Sequence, residues 1–219
     1  MLRSLIFTIV IIFSCTLHAQ RRSLVNTVEQ IKQVIQEHES GQYIDRIEKK
    51  LDEAHRYLSY RVSQENNEKL AIVLEIDETA LSNFSNLKRL KFTHNVEALT
   101  GAYMLGDCHS IQPIQNFYNE AIAHQVAIFF ITARPSTPEI ISTTTKNLKK
   151  QGYGNWEKVY FRPIDNHQLT LQNYKMLARK EIMDEGYTII LNIGSQNIDL
   201  KGGYSEATIK LPNPYYVLD

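Results

Sequence analysis

The sequence predicts an α/β fold: a parallel sheet with helices on both faces. Three observations predict it. Short apolar runs rich in β-branched residues recur from Leu70 onward, as strands buried on both faces do. Stretches with apolar positions three and four apart lie between them, so strands alternate with helices. Polar residues follow the runs directly, at the strand ends where open parallel sheets hold their ligands.

The elements follow in order. Residues 1–19 open with Met1, Leu2 and Arg3 and run apolar from Leu5 to Phe13, the pattern of an export signal cleaved after Ala19. The stretch is short for a membrane span, which needs ~20 apolar residues. The alternative is a lipid-anchored chain beginning at Cys15, the one reading that brings a membrane into play; Phe13 is bulky for such a site. Residues 23–38 and 44–62 repeat apolar positions at helical spacing and predict two N-terminal helices, broken by Gly41 and packed on the main domain. Ala71-Ile72-Val73-Leu74 predicts the first strand. Further strands are predicted at 126–131, 159–161, 187–193 and 207–211, with helices at about 113–124, 136–150 and 170–184 between them. The stretch 80–112 has no clear period and is long for a simple connection, so a lid or small cap is expected there.

Composition narrows the function classes. The chain has 219 residues and a mass of 25.3 kDa, with 43% hydrophobic and 22% charged residues, which excludes a mainly disordered chain. Lys+Arg and Asp+Glu are both 24, so no global basic field draws nucleic acid, and none is expected as a partner. Removal of residues 1–19 takes away Arg3 and Cys15, leaving a charge of −1 and Cys108 as the lone thiol. A disulfide-stapled scaffold is excluded. Cys108 has no basic neighbour other than His109, and an inert thiol is expected.

The candidate site residues sit after the apolar runs. Glu75-Ile76-Asp77-Glu78-Thr79 follows the first; Glu75 and Asp77 are two apart and point to one side of an extended chain. Thr132-Ala133-Arg134-Pro135 follows the second, and Gly194-Ser195-Gln196-Asn197-Ile198-Asp199 the third of the long runs. Any one of these alone reads better as a cap or turn. Three convergent strand ends favour a site.

Here the residues resemble a family. Leu74-Glu75-Ile76-Asp77-Glu78-Thr79-Ala80-Leu81-Ser82-Asn83 looks like the first motif of the haloacid dehalogenase (HAD) superfamily phosphatases, specifically the exported acid phosphatases of the class B and plant vegetative-storage-protein type, subfamily IIIB. Phe129 to Pro135 resembles the second motif, Tyr174-Lys175 with Arg179 the third, and Ile193 to Leu200 the fourth; Tyr160-Phe161-Arg162-Pro163 and the closing Lys210 to Tyr216 match the group's style. The resemblance covers about residues 24–219. It implies a three-layer α/β/α HAD-like (Rossmannoid) domain over 20–219, with a cap-like insertion at about 80–112.

It also implies roles. Glu75, Asp77 and Lys175 would be catalytic; Thr132, Ala133 and Lys175 would bind substrate; Glu75, Asp77 through its carbonyl, Ser195 and Asp199 would hold Mg²⁺. The first carboxylate attacks phosphorus, and the second protonates the leaving oxygen and later activates water. Two departures stand out: the family pattern has Asp where this chain has Glu75, and Asp where it has Ser195. A 1 Å misplacement costs ~10²-fold in such reactions, and an added methylene exceeds that. Ser195 removes a negative charge from the metal shell, so Mg²⁺ is expected to bind weakly or to be lost, unless Glu75 reaches into the vacated space as a ligand. The expected function is an exported (periplasmic or secreted) acid phosphatase-like hydrolase of small phosphomonoesters, weakened by both changes. The alternatives are a pseudoenzyme that binds phosphate compounds or a protein, and a reserve or surface protein. Arg134 is expected to cap or to pair with a carboxylate. Asn83, His94, Asp107 and His109 lie in the lid-like stretch as candidates for substrate selection.

Overall fold

The computed structural model describes residues 26–64, 67–93, 96–165 and 168–218. The export signal, Cys15, the first turn expected at Ser23–Val25 and His94 lie outside the described residues. Helix α1 spans Thr27–Glu39, starting four residues later than its apolar period because Asn26 caps it: Asn26 Oδ1 accepts the N–H groups of Val28 and Glu29 at 3.1 and 3.3 Å. Gly41, at φ +86°, turns the chain into α2 (Gln42–Val62). That helix buries Tyr43, Ile47, Leu51, Ala54 and Leu58 along one stripe.

Strand β1 (Lys69–Leu74) follows. The stretch expected to be a lid has structure of its own: β2 (Leu81–Ser82), α3 (Phe84–Arg89), α4 (Val96–Leu105) and β3 (His109–Ser110), with β2 and β3 paired antiparallel. Its elements are too short for a hydrophobic period to show. Then come α5 (Gln112–Ala123), β4 (Ala127–Pro135), α6 (Pro138–Lys150), β5 (Lys158–Arg162), α7 (Leu171–Asp184), β6 (Tyr187–Gly194), α8 (Asn197–Leu200) and β7 (Ala207–Lys210). Strand β4 runs past the apolar stretch through Thr132 to Pro135, carrying its polar residues on the strand itself.

The five long strands form one parallel sheet in the order β5-β4-β1-β6-β7. Side-chain alternation splits its core in two. Ile72, Leu74, Ile128 and Phe130 point to the face covered by α2 and α5; Ala71, Val73, Phe129 and Ile131 point to the face covered by Tyr174, Ala178 and Ile182 of α7. Each Ile, Leu, Val or Phe among them contributes about 1.5–3 kcal/mol on burial. This is the predicted three-layer α/β/α arrangement. From β1 the chain steps to β4 and β5 on one side and later to β6 and β7 on the other. The carboxyl end of β1 therefore lies at the switch point where open sheets bind ligands.

Candidate active site

The loop after β1 turns sharply. Glu78 sits at φ +54°, a strained value for a residue with a side chain, and its N–H donates to Leu81 O at 2.8 Å. Its buried carboxyl accepts the Asn83 N–H at 2.8 Å. Burial pushes the Glu78 pKa up to about 8. The turn leaves Glu75 and Asp77 facing one small cavity of about 60 Å³, whose wall includes Lys175, Asp199, Ala133 and Asn83. Strands β1, β4 and β6 and helix α7 thus bring Glu75, Asp77, Ala133, Lys175 and Asp199 to one cavity.

Asp77 is clamped. The Arg134 guanidinium, 1% exposed, donates to Asp77 Oδ1 from Nη2 at 2.8 Å and to Oδ2 from Nε at 3.1 Å; Asn83 Nδ2 donates to Oδ1 at 2.6 Å. Burial favours the protonated acid, but the Arg134 charge and these hydrogen bonds outweigh it and hold Asp77 below the ordinary carboxylate range. Arg134 also bonds Thr144 and lies 4.4 Å from the centroid of the Tyr103 ring. The fork confirms the carboxylate pairing expected of Arg134.

Lys175 stands between the other two carboxylates, 2.5 Å from Asp199 Oδ1 and 3.4 Å from Glu75 Oε1. Burial disfavours its charge, yet these two neighbours hold its pKa above the ordinary lysine value. Glu75 Oε2 is buried with no hydrogen-bond partner, and desolvation pushes Glu75 up to about 8 against the pull of Lys175. Asp199 Oδ2 accepts the Gln196 N–H at 2.7 Å, closing a capping box on α8. Gly194 makes that fit possible: a Cβ there would lie 2.4 Å from Asp199 Cβ.

Ser195 Oγ donates to the backbone carbonyl of Asp77 at 3.2 Å and accepts Asn213 Nδ2 at 3.3 Å. The reach of Glu75 into the space at 195 is not what forms: Glu75 turns to Lys175, and Ser195 turns to the carbonyl. Thr132 is fully buried, its Oγ1 accepting the Arg134 N–H at 3.2 Å, so Ala133 is the residue of this strand end that walls the cavity. Asp107 accepts from Asn86 at 3.1 Å, and His109 is exposed in the β2–β3 ladder; neither lines the cavity. Cys108 is buried, and desolvation pushes its thiol up to about 11, against the pull of Arg134, which disfavours the thiolate. Sequence reasoning named Gln196 only within the third strand-end run and missed Leu87, Leu99, Tyr103 and Leu218 on the cavity wall. Tyr216 is there too, and its place in the closing motif is the one signal that marked it.

The residues do not fit a Mg²⁺ ion. Mg²⁺ demands near-octahedral oxygen ligands at about 2.0–2.1 Å. Both Asp199 oxygens are committed to Lys175 and Gln196, the Asp77 carboxylate to Arg134 and Asn83, and the Asp77 carbonyl to Ser195. Glu75 Oε2 is the one candidate carboxylate oxygen here without a partner. The Lys175 ammonium among the carboxylates would repel a second cation. Among the described residues, no group of three His, Cys, Asp or Glu is arranged to hold a metal.

A model of the HAD superfamily, subfamily IIIB (acid phosphatase), matches residues 11–219. The stem 28 kDa glycoprotein of Glycine max is 32% identical over 167 residues, 73% of this chain and 64% of that protein. Acid phosphatase 1 of Solanum lycopersicum is 29% identical over 161 residues, 67% of this chain and 58% of that protein. The chain thus spans less than two thirds of the length of these relatives. The class C acid phosphatase from Bacillus anthracis superposes with a TM-score of 0.70 at 17% identity, over 86% of this chain and 85% of that one, a likeness of fold. With the family model spanning nearly the whole sequence and the motif carboxylates gathered in one strand-end cavity, the chain belongs to the acid phosphatases of HAD subfamily IIIB.

Proposed function

We propose that this chain is an exported protein of the acid phosphatase fold that binds small phosphomonoesters and hydrolyses them slowly or not at all. The insertion over 80–112 serves as its cap, supplying Asn83, Leu87, Leu99 and Tyr103 to the cavity wall. The observation that carries the reading is the pairing of Asp77 with Arg134 while Glu75 Oε2 has no partner.

A nucleophilic carboxylate must be ionised, and the acid that releases the alcohol must carry a proton. Here the two are reversed. Burial raises the Glu75 pKa to about 8, which favours its neutral form, and Arg134 favours the ionised form of Asp77. Where turnover occurs, Glu75 attacks phosphorus to form an acyl-phosphate and the alcohol leaves with a proton from Asp77. Water activated by Asp77 then cleaves the acyl-phosphate and frees phosphate. Lys175 is the cation placed to balance the phosphoryl charge. The attack by Glu75 and the protonation of the leaving alcohol both begin from an unfavourable protonation state, and Glu75 carries the extra methylene besides.

The test is hydrolysis of an aryl phosphate by the purified chain, with Mg²⁺, from about pH 4 to about pH 8, beside Glu75→Asp combined with Ser195→Asp. Little or no native turnover and a gain of about 10²-fold or more in the double variant is expected. Strong native turnover would sink the weakened reading. Thermal stabilisation by inorganic phosphate or vanadate separates a phosphate-binding pseudoenzyme from a reserve protein, which would show none. Export rests on residues 1–19; N-terminal sequencing of the exported chain is expected to begin at Gln20.

A further inference from the structure

The C-terminal segment 212–218 closes the pocket. Tyr216 and Leu218 line the same cavity as Glu75, Asp77 and Lys175. The segment is fastened to the loop after β6 at successive points. Gln196 Nε2 donates to Tyr216 O at 3.1 Å, and the Leu218 N–H donates back to Gln196 Oε1 at 2.9 Å. Asn213 Nδ2 donates to Ser195 Oγ at 3.3 Å, while Asn213 Oδ1 accepts the Tyr215 N–H at 3.0 Å. Farther out, the Tyr215 hydroxyl lies 2.5 Å from His38 Nδ1, and its ring packs among Tyr43, Phe84 and Phe92.

Ser195 completes the chain of bonds through the carbonyl of Asp77. A hydroxyl can do this because it has one donor and two acceptor lone pairs. It gives its proton to the Asp77 carbonyl and accepts the Asn213 N–H. An ionised carboxylate at the same position has no proton to give. It would face the carbonyl as one acceptor against another, stable only with a cation between them.

We propose that Ser195, Gln196 and Asn213 form the latch of a C-terminal strap that covers the pocket and keeps divalent cations from the Asp77 carbonyl. The hydroxyl at 195 ties the strap down where a carboxylate would call for a metal. The phosphoryl character of the pocket rests on the functional reading above; the latch does not.

The experiment combines hydrogen exchange of segment 212–218 with thermal shifts on the full chain, using Mg²⁺ alone and inorganic phosphate alone. In the native chain, millimolar Mg²⁺ leaves both the exchange and the melting temperature unchanged. Asn213→Ala and Gln196→Ala each speed exchange at Tyr215, Tyr216 and Leu218 by about tenfold or more, the order expected for the three and two hydrogen bonds they lose. Ser195→Asp speeds exchange likewise and acquires a saturable Mg²⁺-dependent rise in melting temperature; Ser195→Thr, which keeps the hydroxyl, does neither. Saturable stabilisation of the native chain by Mg²⁺ overturns the exclusion of cations. Strap exchange indifferent to Asn213→Ala and Gln196→Ala overturns the latch. Failure of phosphate to stabilise any variant, with the latch results as expected, overturns the phosphomonoester reading alone.

Discussion

Replacing Glu75 by Gln is expected to stabilise the protein as pH rises, and the structure sets the size of the effect. Glu75 is 5% exposed, its Oε2 has no partner, and its pKa is raised from 4.5 to about 8, chiefly by desolvation. A carboxyl with a raised folded pKa keeps its proton in the folded state after the unfolded chain has released it. Ionisation therefore opposes folding, and stability declines as pH climbs from about 4.5 to about 8, then levels off. The cost over that window is on the order of 5 kcal/mol, or about 10–20 °C in melting temperature for a chain of this size. Gln cannot ionise, and Lys175 keeps Asp199 at 2.5 Å, so the variant escapes that decline. Glu78, pushed to about 8 by the same burial, leaves a second decline of the same sign in both proteins. Thermal unfolding read by Trp156, the chain's one tryptophan, set edge-on to Phe130, gives the comparison. The two curves are expected to coincide near pH 4.5 and to diverge by about 8 °C or more at pH 8. Parallel curves, or a variant less stable at pH 8, would refute the reasoning and make charged Glu75 a net favourable partner of Lys175.

Other outcomes follow from the same geometry. Arg134→Met strips a buried Asp77 of its counter-charge and is expected to cost about 3–5 kcal/mol at neutral pH, seen as a lower denaturation midpoint; Asp77→Asn in the same chain should restore part of it. Because Arg134 holds Asp77 below its unfolded pKa, the stability it provides is present above about pH 4 and lost as pH falls through the folded value. The stability gap between the native chain and Arg134→Met should thus narrow as pH falls below about 4. Gly194→Ala places a Cβ within 2.4 Å of Asp199 Cβ, so Asp199 must leave Lys175 or Gln196; a loss of about 2–4 kcal/mol by thermal or chemical unfolding is expected, and an unchanged protein would show that this turn can give way. Leu58→Ala, fully buried on α2, should cost about 2–5 kcal/mol in the same measurement, and a smaller loss would mean that α2 contributes little to the core.

Local pattern was enough for much of this protein. The runs at Ala71–Leu74, Val126–Ile131 and Tyr187–Ile193 are strands because a strand buried on both faces must be apolar along its whole length, a demand that leaves its mark on consecutive residues. The same periodicity marked α2, α5, α6 and α7, and the rule that ligands gather beyond parallel strand ends pointed to Glu75, Asp77, Ala133 and Asp199 before any coordinates. The segments around β2, α3, α4 and β3 stayed illegible, since short elements held by scattered contacts carry no period. Which groups pair was equally out of reach. Arg134 meets Asp77, Lys175 divides itself between Glu75 and Asp199, and Ser195 bonds a carbonyl 118 residues away. Sequence supplied the chemical groups and their strand ends. Burial and pairing, which shift the carboxyl pKa values and commit the oxygens of Asp77 and Asp199, arise only when distant segments meet in a space from which water is excluded.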